Sequence, residues 1–196
     1  MDFTFSEDQL LFQESVRDFL VKEVSPERIR RSWETDSGRD DALWSQITEL
    51  GLPGMTVPEE HGGLSMSELD FVLLAQECGY VALPEPLVHM ALVAVPALVE
   101  LGGELAARWL PQIAAGEAKV VVGLEQNLLV VDAHVADLLL LQRGDEVHAL
   151  TPGQVTLRHN ASVDPSRKLY AVDITSDSAP VSSGAAAAEL LSKALD

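Results

Sequence analysis

Cysteine and positive charge are both scarce in this chain, and each scarcity excludes something. Cys78 is the one cysteine, so no internal disulfide can form. It falls in an apolar helical pattern, where a thiol packs as a small hydrophobe, and a buried reduced thiol is expected. The 13 Lys and Arg stand against 31 Asp and Glu, a net charge of −18. An acidic surface repels phosphate backbones and anionic headgroups, so neither nucleic acid nor membrane is an expected partner. The longest apolar run, MALVAVPALV (90–99), is too short to cross a bilayer and contains Pro96. The start, MDFTFSEDQ, has neither the basic end nor the apolar stretch of a secretory leader. No His/Cys cluster has metal-ligand spacing. A soluble, cytoplasmic protein is the expectation.

What is present is a sizeable core. Of the 196 residues 47% are hydrophobic, enough for one large domain or two small ones. Ser6, Glu7, Asp8 and Gln9 form a helix start, with Phe12, Val16, Phe19 and Leu20 on one face and Pro26 bounding or bending the helix. A second helix is expected over about 40–50, with Leu43, Trp44, Ile47 and Leu50 inward and Gly51 as its stop. The Pro- and Gly-containing LPGMTVPEEHGGLSMSELD reads as a structured loop, ending in a Ser65–Glu68 capping pair. The third helix then places Leu69, Val72, Leu73 and Gln76 inward and stops at Gly79. The fourth, LPEPLVHMALVAVPALVEL, is apolar nearly all round and should kink at Pro96. A fifth runs from Glu104 to Ala115, with Leu105, Trp109 and Ile113 inward.

After Gly116 the period changes. KVVVGLE, NLLVV, ADLLLLQ, EVHALT, QVTLRH and LYAVDIT are short Val- and Leu-rich runs between turn residues. They predict a small, mainly antiparallel β domain, with RGDE (143–146) as a hairpin turn and not an integrin-type ligand. SDSAPVSSG reads as a polar linker, and AAAAELLSKALD opens another helix. The fold class is therefore α+β. An all-α N-terminal domain spans 1–117, a β domain spans 118–176, and 177–196 hold a linker and the start of a C-terminal helical bundle.

FTFSEDQLLFQESVRDFLVKEV, LWSQITELGLPGMTVPEEHGG, ELDFVLLAQECGYVALPEPL and RWLPQIAAGEAKVVVGLEQ, in this order and spacing, resemble the N-terminal and middle domains of an acyl-CoA dehydrogenase. The resemblance covers 3–124 well and 129–174 more weakly. There DPSRKL is similar to a DPTRRL-type motif of bacterial subunits, some linked to steroid side-chain breakdown. Membership implies FAD held against the sheet and desaturation of an acyl thioester between its α and β carbons. A carboxylate takes the α proton and the flavin accepts the β hydride. It also implies that Glu85, Val88, His89 and Leu92 line the acyl chain, and that Leu124, Glu125, Gln126, Leu129 and Val131 fall at the flavin.

At those flavin positions the sequence departs from the family. Glu125, Gln126 and Asn127 stand where the family has Thr-Glu-Pro, and no Gly-rich turn follows. Leu129 and Val131 replace an aromatic-x-Thr strand, so a hydroxyl is lost, although the Val131 amide remains a donor. Glu125 would set negative charge beside an electron-rich reduced flavin. The family's catalytic base lies in a C-terminal bundle outside this sequence. Arg167 and Lys168 suit a phosphate of FAD or CoA, or else a surface ion pair. His61 reads as a turn residue, His89 as a hydrogen-bonded core histidine, and Glu125 as a solvated carboxylate more readily than a base. The first expectation is an acyl-CoA dehydrogenase subunit acting on an acyl-CoA, steroid side-chain or fatty acyl, as a homo- or hetero-oligomer. A partner would supply the base, FAD contacts or both. The alternatives are a scaffold or regulatory relative that binds no flavin, and a flavin-dependent monooxygenase of the same fold.

Overall fold

The computed structural model describes residues 4–127 and 129–193. Helix α1 (Glu7–Glu23) begins at Ser6, whose hydroxyl accepts from the Gln9 amide while Gln9 accepts from the Ser6 amide. That reciprocal pair is the capping box its sequence promised. Helix α2 (Pro26–Trp33) was not anticipated. Its signal is Ser25-Pro26: the serine caps, and proline at the first turn loses no hydrogen bond. Pro26 thus starts a helix as well as ending the space for α1. Helix α3 (Asp41–Glu49) buries Leu43, Trp44 and Ile47, and Asp40 caps it.

Helix α4 (Glu68–Tyr80) departs from its expected cap and face. Ser67 caps it with Asp70, while Ser65, at φ 49°, accepts instead from the Glu59 amide. The buried face carries Phe71, Leu73, Leu74 and Cys78, whereas Leu69 is 71% and Val72 45% exposed. The apolar period was misread because the buried face includes a charge. Glu77 sits in it, bonded to Arg17 at 2.7 and 2.9 Å and to Gln13 at 2.6 Å, which bolts α4 to α1. The Arg17 hydrogen bonds hold this carboxyl below its ordinary pKa.

The expected fourth helix is three pieces: α5 (Leu87–His89), a π-helical stretch (Met90–Ala94) and α6 (Val95–Leu101). Proline lacks the amide and crowds the carbonyl one turn back, so the backbone widens before Pro96. Thr56 donates 2.9 Å to the Ala91 carbonyl within this stretch. Helix α7 (Gly103–Ala114) completes the helical front.

Among the described residues seven short strands follow, in two sheets and not one. The first orders β1 (Val120–Gly123), β3 (Leu138–Arg143), β4 (Glu146–Leu150) and β7 (Ser182–Ser183); the second orders β2 (Val130–Val131), β6 (Leu169–Ile174) and β5 (Val155–Asn160). All pairs are antiparallel except β1 with β3. The first sheet is a filling between two layers. Val120, Leu138, Leu140 and Val147 join the helical core, whereas Val121, Leu139, Leu141 and Leu150 pack on the second sheet. A strand buried on both faces reads as an unbroken apolar run, which is why β3 is Leu-Leu-Leu-Leu. Gly144 and Asp145 form the β3–β4 turn at the RGDE stretch. Strand β7 lies inside the stretch read as a linker, because an edge strand needs backbone groups and no apolar pattern.

Helix α8 (Gly184–Lys193) turns back onto the front half. Ala187, Leu190 and Leu191 enter the main core, and Lys193 pairs with Glu100 at 2.9 Å. No helix among the described residues is long and apolar enough to cross a membrane.

The loop between α3 and α4 depends on a close approach. A Cβ on Gly63 would lie 2.1 Å from the Val57 carbonyl oxygen, whereas one on Gly62, at φ +84°, meets nothing within 4 Å. Gly63→Ala should therefore cost about 3 kcal/mol by steric overlap, and Gly62→Ala about 1 kcal/mol by backbone strain alone. Thermal melts of the two variants check the order.

Candidate functional site

A cavity of about 680 Å³ opens where α4, α5 and the π-helical stretch meet the loop after β2 and the loop before β6. Its helical wall is apolar, with Ala75, Cys78, Val88, Leu92 and Val93. Cys78 is a free, buried thiol, and burial pushes its pKa up to about 12. At neutral pH it is a neutral wall residue and no nucleophile.

The cavity's polar end is built on Arg39. This buried guanidinium donates 3.0 Å to the Ser166 carbonyl, 3.3 Å to the Gly38 carbonyl, and also to the Pro84 carbonyl and the Asp132 carboxylate. Asp132 is itself buried, in the left-handed region at φ 63°, which aspartate tolerates. Its amide donates 2.9 Å to the Lys168 carbonyl and its carbonyl accepts 3.1 Å from Val135. Burial raises the Asp132 pKa, and the Arg39 charge opposes that rise. Neither residue announced itself in the sequence. The available signal was an aspartate between Val131 and Ala133, which in a buried strand demands a cation.

Glu85 stands beside them. Its Oε1 accepts 3.2 Å from the Asp40 amide, whereas Oε2 is buried with no hydrogen-bond partner. Burial lifts this carboxyl to about 7, against the opposing pull of the Asp40 amide, Arg39 and Lys119. His89 is engaged differently: its Nε2 accepts 3.1 Å from the Val122 amide, so the ring ties α5 to β1. That leaves the proton on Nδ1, and burial lowers its pKa, so the ring is neutral.

Glu85, Val88, His89 and Leu92, all expected at the acyl chain, line this one cavity. The five expected flavin positions do not all meet: Leu124 and Glu125 line a separate cavity of about 200 Å³. Val131 reaches the 680 Å³ cavity. Leu124 is buried in the main core and Leu129 is half-buried. Glu125 braces the β3–β4 hairpin: its amide donates 3.1 Å to Gln142 and its carboxylate accepts 3.0 Å from the Gly144 amide. Gln126 is exposed in the same turn. These side chains present no hydroxyl and no glycine cradle, so they do not fit an isoalloxazine by themselves. Arg167 lines the cavity, while the stem of Lys168 lies over Gly38. His61 occupies a short 3₁₀ turn with Glu60 3.7 Å away. No group of three or more His, Cys, Asp or Glu among the described residues could hold a metal ion.

Two predictions follow from the polar end. Arg39→Met leaves a buried carboxylate unpaired and should cost about 3–5 kcal/mol, while adding Asp132→Asn should recover more than half of it. Urea denaturation of both variants measures this. For Glu85 the folded pKa, about 7, lies above the ordinary 4.5. The folded state therefore keeps a proton that the unfolded chain releases, and stability falls as pH rises from about 4.5 to about 7. Glu85→Gln, which retains an acceptor for the Asp40 amide, should flatten that fall and exceed the wild type above pH 7 by about 2–3 kcal/mol. Denaturation midpoints at a series of pH values from 5 to 8 provide the check.

Comparison with known proteins gives this geometry a family. The family model for the acyl-CoA dehydrogenase N-terminal domain matches residues 6–117. The acyl-CoA dehydrogenase IpdE2 of Mycobacterium tuberculosis is 28% identical over 170 residues, covering 83% of this chain and 50% of that protein. The chain spans about half the length of this relative and of its Mycolicibacterium smegmatis counterpart. Among solved structures, the ChsE4-ChsE5 complex from Mycobacterium tuberculosis superposes with a TM-score of 0.81, over 98% of this chain and 62% of that one, at 19% identity. A glutaryl-CoA dehydrogenase from Mycobacterium smegmatis in complex with FADH2 gives 0.72, over 97% and 60%, at 15% identity. Because the family model spans more than half of the sequence and the same fold continues through both sheets, the chain belongs to the acyl-CoA dehydrogenase family.

Proposed function

We propose that this chain is a subunit of an acyl-CoA dehydrogenase assembly, and that it holds the acyl part of an acyl-CoA thioester for α,β-desaturation. The observation that carries the reading is the 680 Å³ cavity in which Glu85, Val88, His89 and Leu92 converge. Its apolar wall suits an acyl chain, because burying hydrocarbon there gains about 25 cal/mol for each Å² removed from water. A partner subunit shares the grip on FAD, since Glu125, at one of the expected flavin positions, is committed to the β3–β4 hairpin. A two-component neighbour, the ChsE4-ChsE5 complex, and the FADH2-bound neighbour support this division. Exposed Leu69, Val72 and Tyr80 on α4 and Val99 on α6 leave apolar surface for association.

A second reading, a scaffold that binds no flavin, is favoured by one observation: Glu125 spends its carboxylate on the hairpin amide of Gly144. One preparation separates the two. The chain is purified with its co-expressed neighbouring subunits, and its visible spectrum and light-scattering mass are recorded. A hetero-oligomer with flavin absorbance that bleaches on anaerobic addition of acyl-CoA is expected. A preparation that stays colourless when FAD and the partner are supplied selects the scaffold.

A further inference from the structure

Glu85 is a poor residue for the end of a cavity that accepts plain hydrocarbon. It is 6% exposed and lines the cavity beside Pro86, Val88 and Leu92. One oxygen is satisfied by the Asp40 amide at 3.2 Å, and the other, Oε2, has no partner. The neighbouring charges do not complete it. Arg39 is occupied by Asp132 and by the carbonyls of Pro84, Ser166 and Gly38, and its own Nε is also without a partner. A buried carboxyl oxygen without a partner loses its hydration without replacement, which costs more than the bond itself is worth when made.

We propose that Glu85 is a specificity-determining residue, and that the acyl group this cavity takes carries a neutral oxygen, a ketone or a hydroxyl, that pairs with its unpartnered Oε2 once the side chain turns that buried atom toward the cavity. This deepens the acyl-binding reading above and rests on it. A hydrocarbon tail leaves Oε2 dry. A tail ending in carboxylate meets Glu85 and Asp132 as like charges, with Arg39 already neutralised, and its match in the lining is Arg167 and not Glu85. A neutral oxygen satisfies the carboxyl without adding charge to a low-dielectric site. The carboxyl's position near neutrality suits both partners: protonated, it donates to a ketone, and in either state it accepts from a hydroxyl. Arg39 and Lys119 favour its ionised form, Asp132 opposes it, and burial outweighs the attraction. Discrimination of this kind is large because a site built for a hydrogen bond is left unpaired by the analogue that lacks it.

The test is calorimetric binding to the full-length protein in its native assembly. The probes are decanoyl-CoA and three decanoyl-CoA thioesters with one keto group at carbon 5, 7 or 9. At least one keto isomer should bind about tenfold more tightly than decanoyl-CoA. Glu85→Leu should erase that preference, and Glu85→Gln, which keeps a donor and an acceptor, should retain most of it. Decanoyl-CoA binding with no keto preference, or a preference that survives Glu85→Leu, overturns the assignment of Glu85 and leaves the acyl-site reading standing. Failure of all four thioesters to bind overturns the acyl-site reading itself, and this inference with it.

Discussion

One buried guanidinium holds the two halves of this molecule in register. Arg39 lies in the loop after α2, yet its bonds reach Pro84 ahead of α5, Asp132 after β2 and Ser166 ahead of β6. A charge removed from water is tolerated only where fixed dipoles and an opposite charge replace its hydration. Each of those segments is therefore constrained by the same requirement. The cavity is what remains between them. His89 adds a second tie nearby by accepting from the Val122 amide, so helix and strand meet at a fixed spacing on the cavity's other side.

The layered packing decides what the residues at the end of β1 do. The first sheet is covered on both faces, by helices on one and by the second sheet on the other. Its β1 end runs straight into a tight turn at Glu125 and Gln126. In that turn a carboxylate is most useful as an acceptor for the Gly144 amide of the neighbouring hairpin. The geometry that would aim these side chains at a planar ring is replaced by one that closes a turn.

The result is a division of labour within a familiar architecture. The helices supply an apolar cavity wall with a buried carboxyl at its polar end, and the sheets supply the packing behind it. Glu85 and Asp132 share that polar end with opposite fates. Asp132 has a counterion, and Glu85 has an unsatisfied oxygen. Under the proposed function, the first holds the fold together and the second chooses what enters.

Period and caps in the sequence by itself determined the succession of helices and then strands, the α1 and α3 starts and the RGDE turn. Those signals are local: a capping serine and its partner three residues on are read without knowing the rest of the chain. The family was legible for the same reason, through contiguous motifs. Tertiary structure alone decided the rest. The face of α4 turned because Glu77 found Arg17 and Gln13 on another helix, and no window of neighbouring residues contains that pairing. The fourth helix opened into a π turn because Pro96 lies in a packed segment that cannot simply bend away. Arg39 and Asp132, 93 positions apart in sequence, matter only once folding removes water from both. Desolvation is a property of the assembled core, so it is the one force in this site that no stretch of sequence could display.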